Sequence, residues 1–269
     1  MSTLNVDTWE PESGSAATLM ATGDTVTVPS GASLVVASGA TINITGATQT
    51  GFPTGGLLGL VVYTGDGTYT PGGVANGTAA DEGNANVTKV VIEVQGGGGG
   101  GGVAPSSYPE YTLGGSGGGY AKKFIDVSAM KAAGQTSTIT VGVAGSGSST
   151  PAGAAGADGG DSSWASPTGA ITLTVTGVKG VGGYASYGIV VGGAATGGDI
   201  NIKGGDAGWG GQYGTLAGAS ILGNAGKNGY VTSGISTAGS GYGAGGGGRY
   251  INTPASDASP GIVLIWEYA

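Results

Sequence analysis

Lys89-Val90-Val91-Ile92-Glu93-Val94-Gln95 runs without a break into seven glycines, Gly96–Gly102. The first half is rich in β-branched residues and sharply bounded, which predicts a strand. The second half has no side chains and cannot be read the same way. The junction recurs downstream with alternating sense. Gly117-Gly118-Gly119 leads into a strand over Ala121–Val127, and a strand over Thr138–Ala144 runs out into Gly145-Ser146-Gly147. Between them, Ser128–Ala133 predicts one or two helical turns, with Ser128 as N-cap and Gly134 as the stop. The order is strand up into glycine, glycine down into strand, an ordinary turn, then strand up again. An antiparallel sheet wired this way carries its glycine-rich loops at one end. The later segments Gly204–Gly211 and Gly243–Gly248 are expected at that end too.

Glycine supplies 64 of the 269 residues, against about 7% in an average protein. Simple disorder is not the reading. Hydrophobic residues make up 39% of the chain and sit in compact runs, while charged residues are only 9%. Fixing a backbone costs about 1–2 kcal/mol per residue, so ordered glycine needs dense compensation. Extended chains without Cβ atoms can lie close enough to hydrogen-bond with their neighbours. Glycine fills the crowded axis of collagen for the same steric reason, but no strict Gly-X-Y period occurs here. The expectation is a packed bundle of left-handed, threefold, polyglycine-type segments. Flexible loops are the alternative.

Further strands are expected at Leu60–Tyr63, Ala170–Val175, Ile189–Val191, Asp199–Lys203 and Ile262–Tyr268, and helix signals are nearly absent. The expected fold class is all-β: a short N-terminal β-repeat stalk, then an antiparallel β-sandwich-like domain over 57–269. Tyr120, Phe124 and Trp266 lie at or within strands and are expected in the core. Upstream, Gly23, Gly31, Gly39 and Gly46 punctuate short β runs at intervals of eight, eight and seven. One such rung per chain cannot bury its own apolar face. Residues 23–56 therefore predict a stalk and hinge that self-associate, most simply as a homotrimer, or else an edge meander on the next domain. Residues 1–22 are polar and small, with Leu4, Val6 and Trp9 as candidate anchors. They read as an attachment segment that orders on a partner, or as a frayed terminus.

Several function classes are set aside by composition. Net charge is -8, and Lys122-Lys123 is the only adjacent basic pair, so phosphate-rich nucleic acids are poor partners. The chain has no Cys and no His, which removes disulfides, thiolate nucleophiles, the usual zinc ligands and the Ser-His-Asp triad. No glycine run is followed by Lys-Ser/Thr or by a helix, so a nucleotide loop is not expected. No apolar stretch approaches the roughly 20 residues of a membrane span, and MSTLNVDTWEPE has no signal-peptide pattern. The chain is expected to be made in a host cytoplasm and to need no cofactor or metal. Asp81-Glu82 and the near pair Asp158/Asp161 are the carboxylate pairs. Both lie in Gly-, Ala- and Asn-rich loops without apolar neighbours to raise a pKa, so glycoside hydrolysis is not the reading. Asp158-Gly159-Gly160-Asp161 offers oxygen ligands, but the spacing forms no full calcium loop.

The residues also carry a resemblance. Val61-Val62-Tyr63-Thr64-Gly65-Asp66-Gly67-Thr68-Tyr69-Thr70-Pro71 and Val90–Gln95 with its glycine run resemble the opening of the glycine-rich domain of phage and prophage tail fibres. Gly117–Val127 is similar to that family's second strand, Gly198–Gly205 to a third motif, and Ser259–Tyr268 to its C-terminal strand. The N-terminal stretch, with Pro29-Ser30-Gly31-Ala32, resembles short fibres of marine and cyanobacterial phages. The resemblance spans about residues 57–269. It implies a trimeric virion component that joins other tail, baseplate or adaptor proteins and adsorbs to a host surface glycan or outer-membrane protein.

Receptor recognition favours aromatic platforms on rigid supports. The aromatics in or beside glycine segments are Trp209, Tyr213, Tyr108, Tyr111, Tyr184, Tyr187, Tyr230, Tyr242 and Tyr250. Trp209 and Tyr213 lead, because they interrupt one glycine segment at a spacing of four. The competing reading is that these rings fill gaps the glycines leave. A structural fibre without receptor binding, an ice-binding or silk-like polyglycine protein, and a tail-spike enzyme are the other functions weighed.

Overall fold

The computed structural model describes residues 56–72, 86–104, 113–149, 153–166, 168–184, 188–208, 216–227, 229, 236–249 and 254–269. The chain divides into two units, Met1–Phe52 and Pro53–Ala269, and the described residues all belong to the second. The expected attachment segment 1–22, with Leu4, Val6 and Trp9, lies outside the described residues. So does the expected stalk 23–56, Gly56 excepted.

The described chain is all-β with antiparallel sheets and one short helix. In order, the strands are β1 Leu57–Tyr63, β2 Gly67–Tyr69, β3 Lys89–Gln95, β4 Tyr120–Asp126, β5 Ser137–Thr140, β6 Ser162–Ser166 and β7 Leu173–Gly177. Short pieces follow: β8 Ile189–Val190, β9 Ala195–Thr196, β10 Ile200–Ile202, β11 Ala207–Gly208, β12 Gly223–Asn224 and β13 Ser240–Gly241. The chain closes with β14 Ile262–Tyr268. The helix α1 covers Ser128–Ala132. One five-stranded sheet has the order β1-β14-β3-β4-β10, and a second has β2-β5-β6-β7-β9.

Alternation along β3 decides what fills the space between the sheets. Val90, Ile92 and Val94 are buried inward, beside Ile265 and Val263 on β14 and Ile125 and Ala121 on β4. From the second sheet come Tyr69, Ile139, Trp164 and Val175. The two sheets thus share one core, closed at one edge by Met130 of α1. Tyr69 also brings a polar group inside: its hydroxyl donates to the buried Glu267 carboxylate at 2.8 Å. Burial pushes the Tyr69 hydroxyl's pKa strongly upward, and the adjacent Glu267 charge adds to it.

The opposite face of the first sheet corrects part of the core reading. Phe124 pairs with Val91 and points outward, 59% exposed, because Ile125 takes the inward position beside it. Trp266 sits half-buried on that outer face, across from Leu60 and Val91. Tyr120 is buried, at the outer-face end nearest the glycines. Glu93 and Lys122 form a cross-strand ion pair there at 3.0 Å. The helix cap also differs from expectation. Ser128 is the first helical residue, with Val127 before it, and the Asp126 carboxylate accepts the Ser128 N–H at 2.9 Å. Gly134 does stop the helix, with φ +60°. The expected strand Thr138–Ala144 is shorter, since the chain leaves the sheet after Thr140.

Beyond Gln95 the hydrogen bonds change period from two to three. The N–H groups of Gly96, Gly99 and Gly102 donate to Gly119, Ser116 and Leu113. Those of Gly97 and Gly100 donate to Gly160 and Ala157, and those of Gly98 and Gly101 to Ser259 and Ser256. These three neighbours run antiparallel. The carbonyls of Gly97 and Gly100 accept from Gly180 and Gly183, those of Gly98 and Gly101 from Gly145 and Ser148, and those of Gly99 and Gly102 from Gly246 and Arg249. These three run parallel. A chain that turns its amide by a third of a revolution per residue, with no internal hydrogen bonds, has the periodicity of a polyproline II helix.

Segment 113–119 is enclosed in the same manner. It bonds to 96–102, 178–181 and 243–246, and also to Gly193, Gly205 and Gly218. Segments 96–104, 113–119 and 243–248 are buried throughout. A Cβ on any of Gly96–Gly102 would overlap a backbone carbonyl of a neighbouring segment, so side chains are sterically excluded there. Ser116 and Ala244 are buried inside enclosed segments, but on a surface segment the residues other than glycine fall where the lattice opens to solvent. Along 177–184, Gly177, Gly180 and Gly183 are buried, whereas Val178, Val181 and Tyr184 face outward. Along 177–184 the departures from glycine therefore keep the threefold period.

Candidate functional site

The sheet fixes where this lattice starts. Gln95 pairs with Tyr120 and with Ile262, so β3 leaves the sheet where β4 and β14 enter it. The other ends meet as well. Gly102 accepts from Arg249 at 2.9 Å and donates to Leu113 at 3.1 Å. Ala104 donates to Arg249 at 3.0 Å, Gly153 reaches Val103 and Ala104, and Gly229 donates to Gly248. Gly208 pairs with Ile189. Leu113, Val190 and Ala207 form a small buried cluster at this end. The described flanks of the connections 105–112, 185–187, 209–215, 230–235 and 250–253 thus converge away from the sheets.

The candidate aromatics distribute accordingly. Tyr108, Tyr111, Tyr187, Trp209, Tyr213, Tyr230 and Tyr250 lie outside the described residues. Tyr184 is described at the converging end, 37% exposed. Tyr242 is not brought near it. Its N–H donates to Leu222 in the turn before Gly243, at the end where Gln95 leaves the sheet.

The carboxylates have structural work. Surface segments of the lattice point every third N–H away from the other segments, and side-chain oxygens accept them. Asp158 accepts from Gly182 at 2.9 Å, Asp161 from Lys179 at 2.8 Å, Asp206 from Gly192 at 2.7 Å and Asp257 from Gly147 at 2.8 Å. Lys179 and Lys203 add ion pairs to Asp158 and Asp206 at 3.1 and 2.7 Å. Asp158 and Asp161 therefore face amides and a lysine. Sequence reasoning missed this capping role; Asp beside glycine at the ends of Gly-rich segments was the available signal. Among the described residues no group of three or more His, Cys, Asp or Glu side chains comes together. Asp81-Glu82 lies outside the described residues.

These caps make the lattice acid-sensitive. The Gly182 amide, with Lys179, holds the Asp158 carboxyl below the usual carboxylate range, and the Gly192 amide with Lys203 does the same for Asp206. A folded-state pKa below the unfolded one means the stabilising contribution is complete above about pH 4 and is lost as pH falls through the folded values. The melting temperature should be level from about pH 7 to 5 and drop below about pH 4. Asp158→Asn/Asp206→Asn should flatten part of that drop. An unchanged profile in the double variant would assign the acid sensitivity to other groups.

A groove of about 520 Å³ lies on the outer face of the first sheet, at the opposite end from Gln95. Val91, Phe124 and Tyr268 make it apolar, and Lys89 and Asp126 border it. Asp126 is already occupied by the Ser128 amide. Comparison with known proteins returns no matching family model and no matching curated protein.

Proposed function

We propose that this chain is a subunit of a bacteriophage tail fibre that attaches to the virion by its N-terminus and binds a host cell-surface receptor by its glycine-rich distal domain. The observation that carries the reading is that the described flanks of five connections meet at the lattice end remote from the sheets. Those connections hold Trp209, Tyr213, Tyr108, Tyr111, Tyr187, Tyr230 and Tyr250. A lattice bonded in every direction is a rigid base for aromatic-bearing loops, which is what recognition without a deep pocket requires. In this reading the glycine-rich segments cluster as one adhesive tip. The sandwich is the handle, residues 23–56 form a trimeric β-repeat stalk, and the role is binding rather than catalysis.

Labelled full-length protein should adhere to cells of a susceptible strain within a panel of bacteria. Trp209→Ala, Tyr213→Ala, Tyr108→Ala and Tyr250→Ala, combined, should abolish adhesion while the far-UV spectrum and melting temperature stay unchanged. Undiminished adhesion by a folded quadruple variant would remove these residues from the receptor surface. Adhesion to no strain would favour the second reading, a purely structural virion fibre.

A further inference from the structure

Arg249 is the single arginine of the chain. Its backbone is fixed on both sides, with its N–H donating to Gly102 and its carbonyl accepting from Ala104. It is the last described residue before connection 250–253, so it stands at the remote end of the lattice. Its side chain is half-buried. Lys122, Lys123, Lys179 and Lys203 each hold a carboxylate, but among the described residues Arg249 is in no ion pair. Lys227 lies on the adjoining segment, with its carbonyl against Gly247, and is likewise without a carboxylate partner among the described residues. On another side of Gly102 stands Tyr184, whose amide nitrogen lies 3.1 Å from where a Cβ on Gly102 would fall. In a chain of net charge -8, two cations without a carboxylate partner among the described residues and an exposed aromatic ring therefore stand on backbone segments that meet at one end.

We propose that Arg249, with Lys227 beside it, binds the oxyanion of an acidic sugar in a surface polysaccharide, and that Tyr184 packs against the sugar ring. The proposal rests on the receptor-binding reading above and names its ligand class. The chemistry favours this occupant. A guanidinium presents two parallel N–H groups that match a carboxylate or phosphate, which a lysine cannot reproduce. A phenol ring offers a flat apolar face with a polar rim, suited to the C–H face of a pyranose.

The test is binding of the full-length protein to immobilised polygalacturonate, phosphomannan and neutral dextran. The expected result is retention on at least one acidic polymer and none on dextran; which acidic polymer binds identifies carboxylate or phosphate as the oxyanion. Arg249→Gln should weaken that binding by about tenfold or more, as the loss of a charge-assisted pair does. Arg249→Lys should fall between, and both should melt with the wild type. Equal binding by Arg249→Gln and wild type would overturn the proposal, as would equal retention on dextran. Cells separate this from the broader reading. If wild type and Arg249→Gln adhere to cells equally, the acidic-sugar site is wrong while receptor binding stands. If protease treatment of cells removes adhesion and periodate does not, the receptor is a protein and the proposal fails.

Discussion

Gly99→Ala is expected to cost about 3 kcal/mol or more, which for a domain of this size lowers the melting temperature by roughly 6–12 °C. The substitution adds one methyl group in a place where no rotamer can absorb it. Gly99 donates to Ser116 at 3.0 Å and accepts from Gly246 at 2.9 Å, and its Cβ would fall on the Val181 carbonyl. All three contacts are backbone. Relief therefore requires moving whole segments, each bonded to further segments. Ordinary overpacking is softened by side-chain adjustment; here every atom in the way belongs to a backbone. Gly65→Ala is the matched control. Nothing lies within 4 Å of its Cβ position, and the change should stay within about 0.5 kcal/mol. Thermal melting of the two variants decides the matter. Equal losses would mean that the close packing of the enclosed segment carries little energy.

Trp164→Ala should destabilise by about 3–5 kcal/mol. Trp164 is 0% exposed and projects from β6 between the sheets, among Ile92, Val94, Ile139 and Val175. Truncation removes the largest buried side chain of the shared core and leaves a cavity that two hydrogen-bonded sheets cannot close. Its indole N–H has no hydrogen-bond partner, so the residue carries a polar cost as well as an apolar gain. Trp164→Phe removes that unpaired donor along with part of the ring, and it should cost well under half as much. Chemical denaturation of both variants measures the difference. A Phe variant as unstable as the Ala variant would show that the indole N–H is not a burden.

Much of the strand framework was legible in the sequence. Lys89–Gln95 and Ile262–Tyr268 are observed with the bounds expected, because β-branched residues run unbroken between clear stops. Ser162–Ser166 was not expected as a strand. Its only large side chain is Trp164, and the inward serines give no apolar alternation. Phe124 was assigned to the wrong face because Phe124 and Ile125 are adjacent and apolar, and only pairing with Val91 decides between them. Segment pairing was beyond reach altogether. Nothing in a run of identical glycines says that Gly97 meets Gly160 while Gly98 meets Ser259. The candidate site was legible only in part. Aromatics beside glycine could be found, but Tyr242 and Tyr184 look alike in sequence and stand at opposite ends. Arg249 was overlooked although its uniqueness was countable.

The change of period at Gln95 limits how such a chain can vary in length. Inserting one residue inside Gly96–Gly102 would rotate everything after it by about 120°. Each later amide would then aim at the wrong neighbour, and the mismatch would persist to the end of the segment. Inserting three would restore every orientation and merely lengthen the segment by about 9 Å. Tolerated insertions within the enclosed segments should therefore come in triplets, so length can change there only in whole turns.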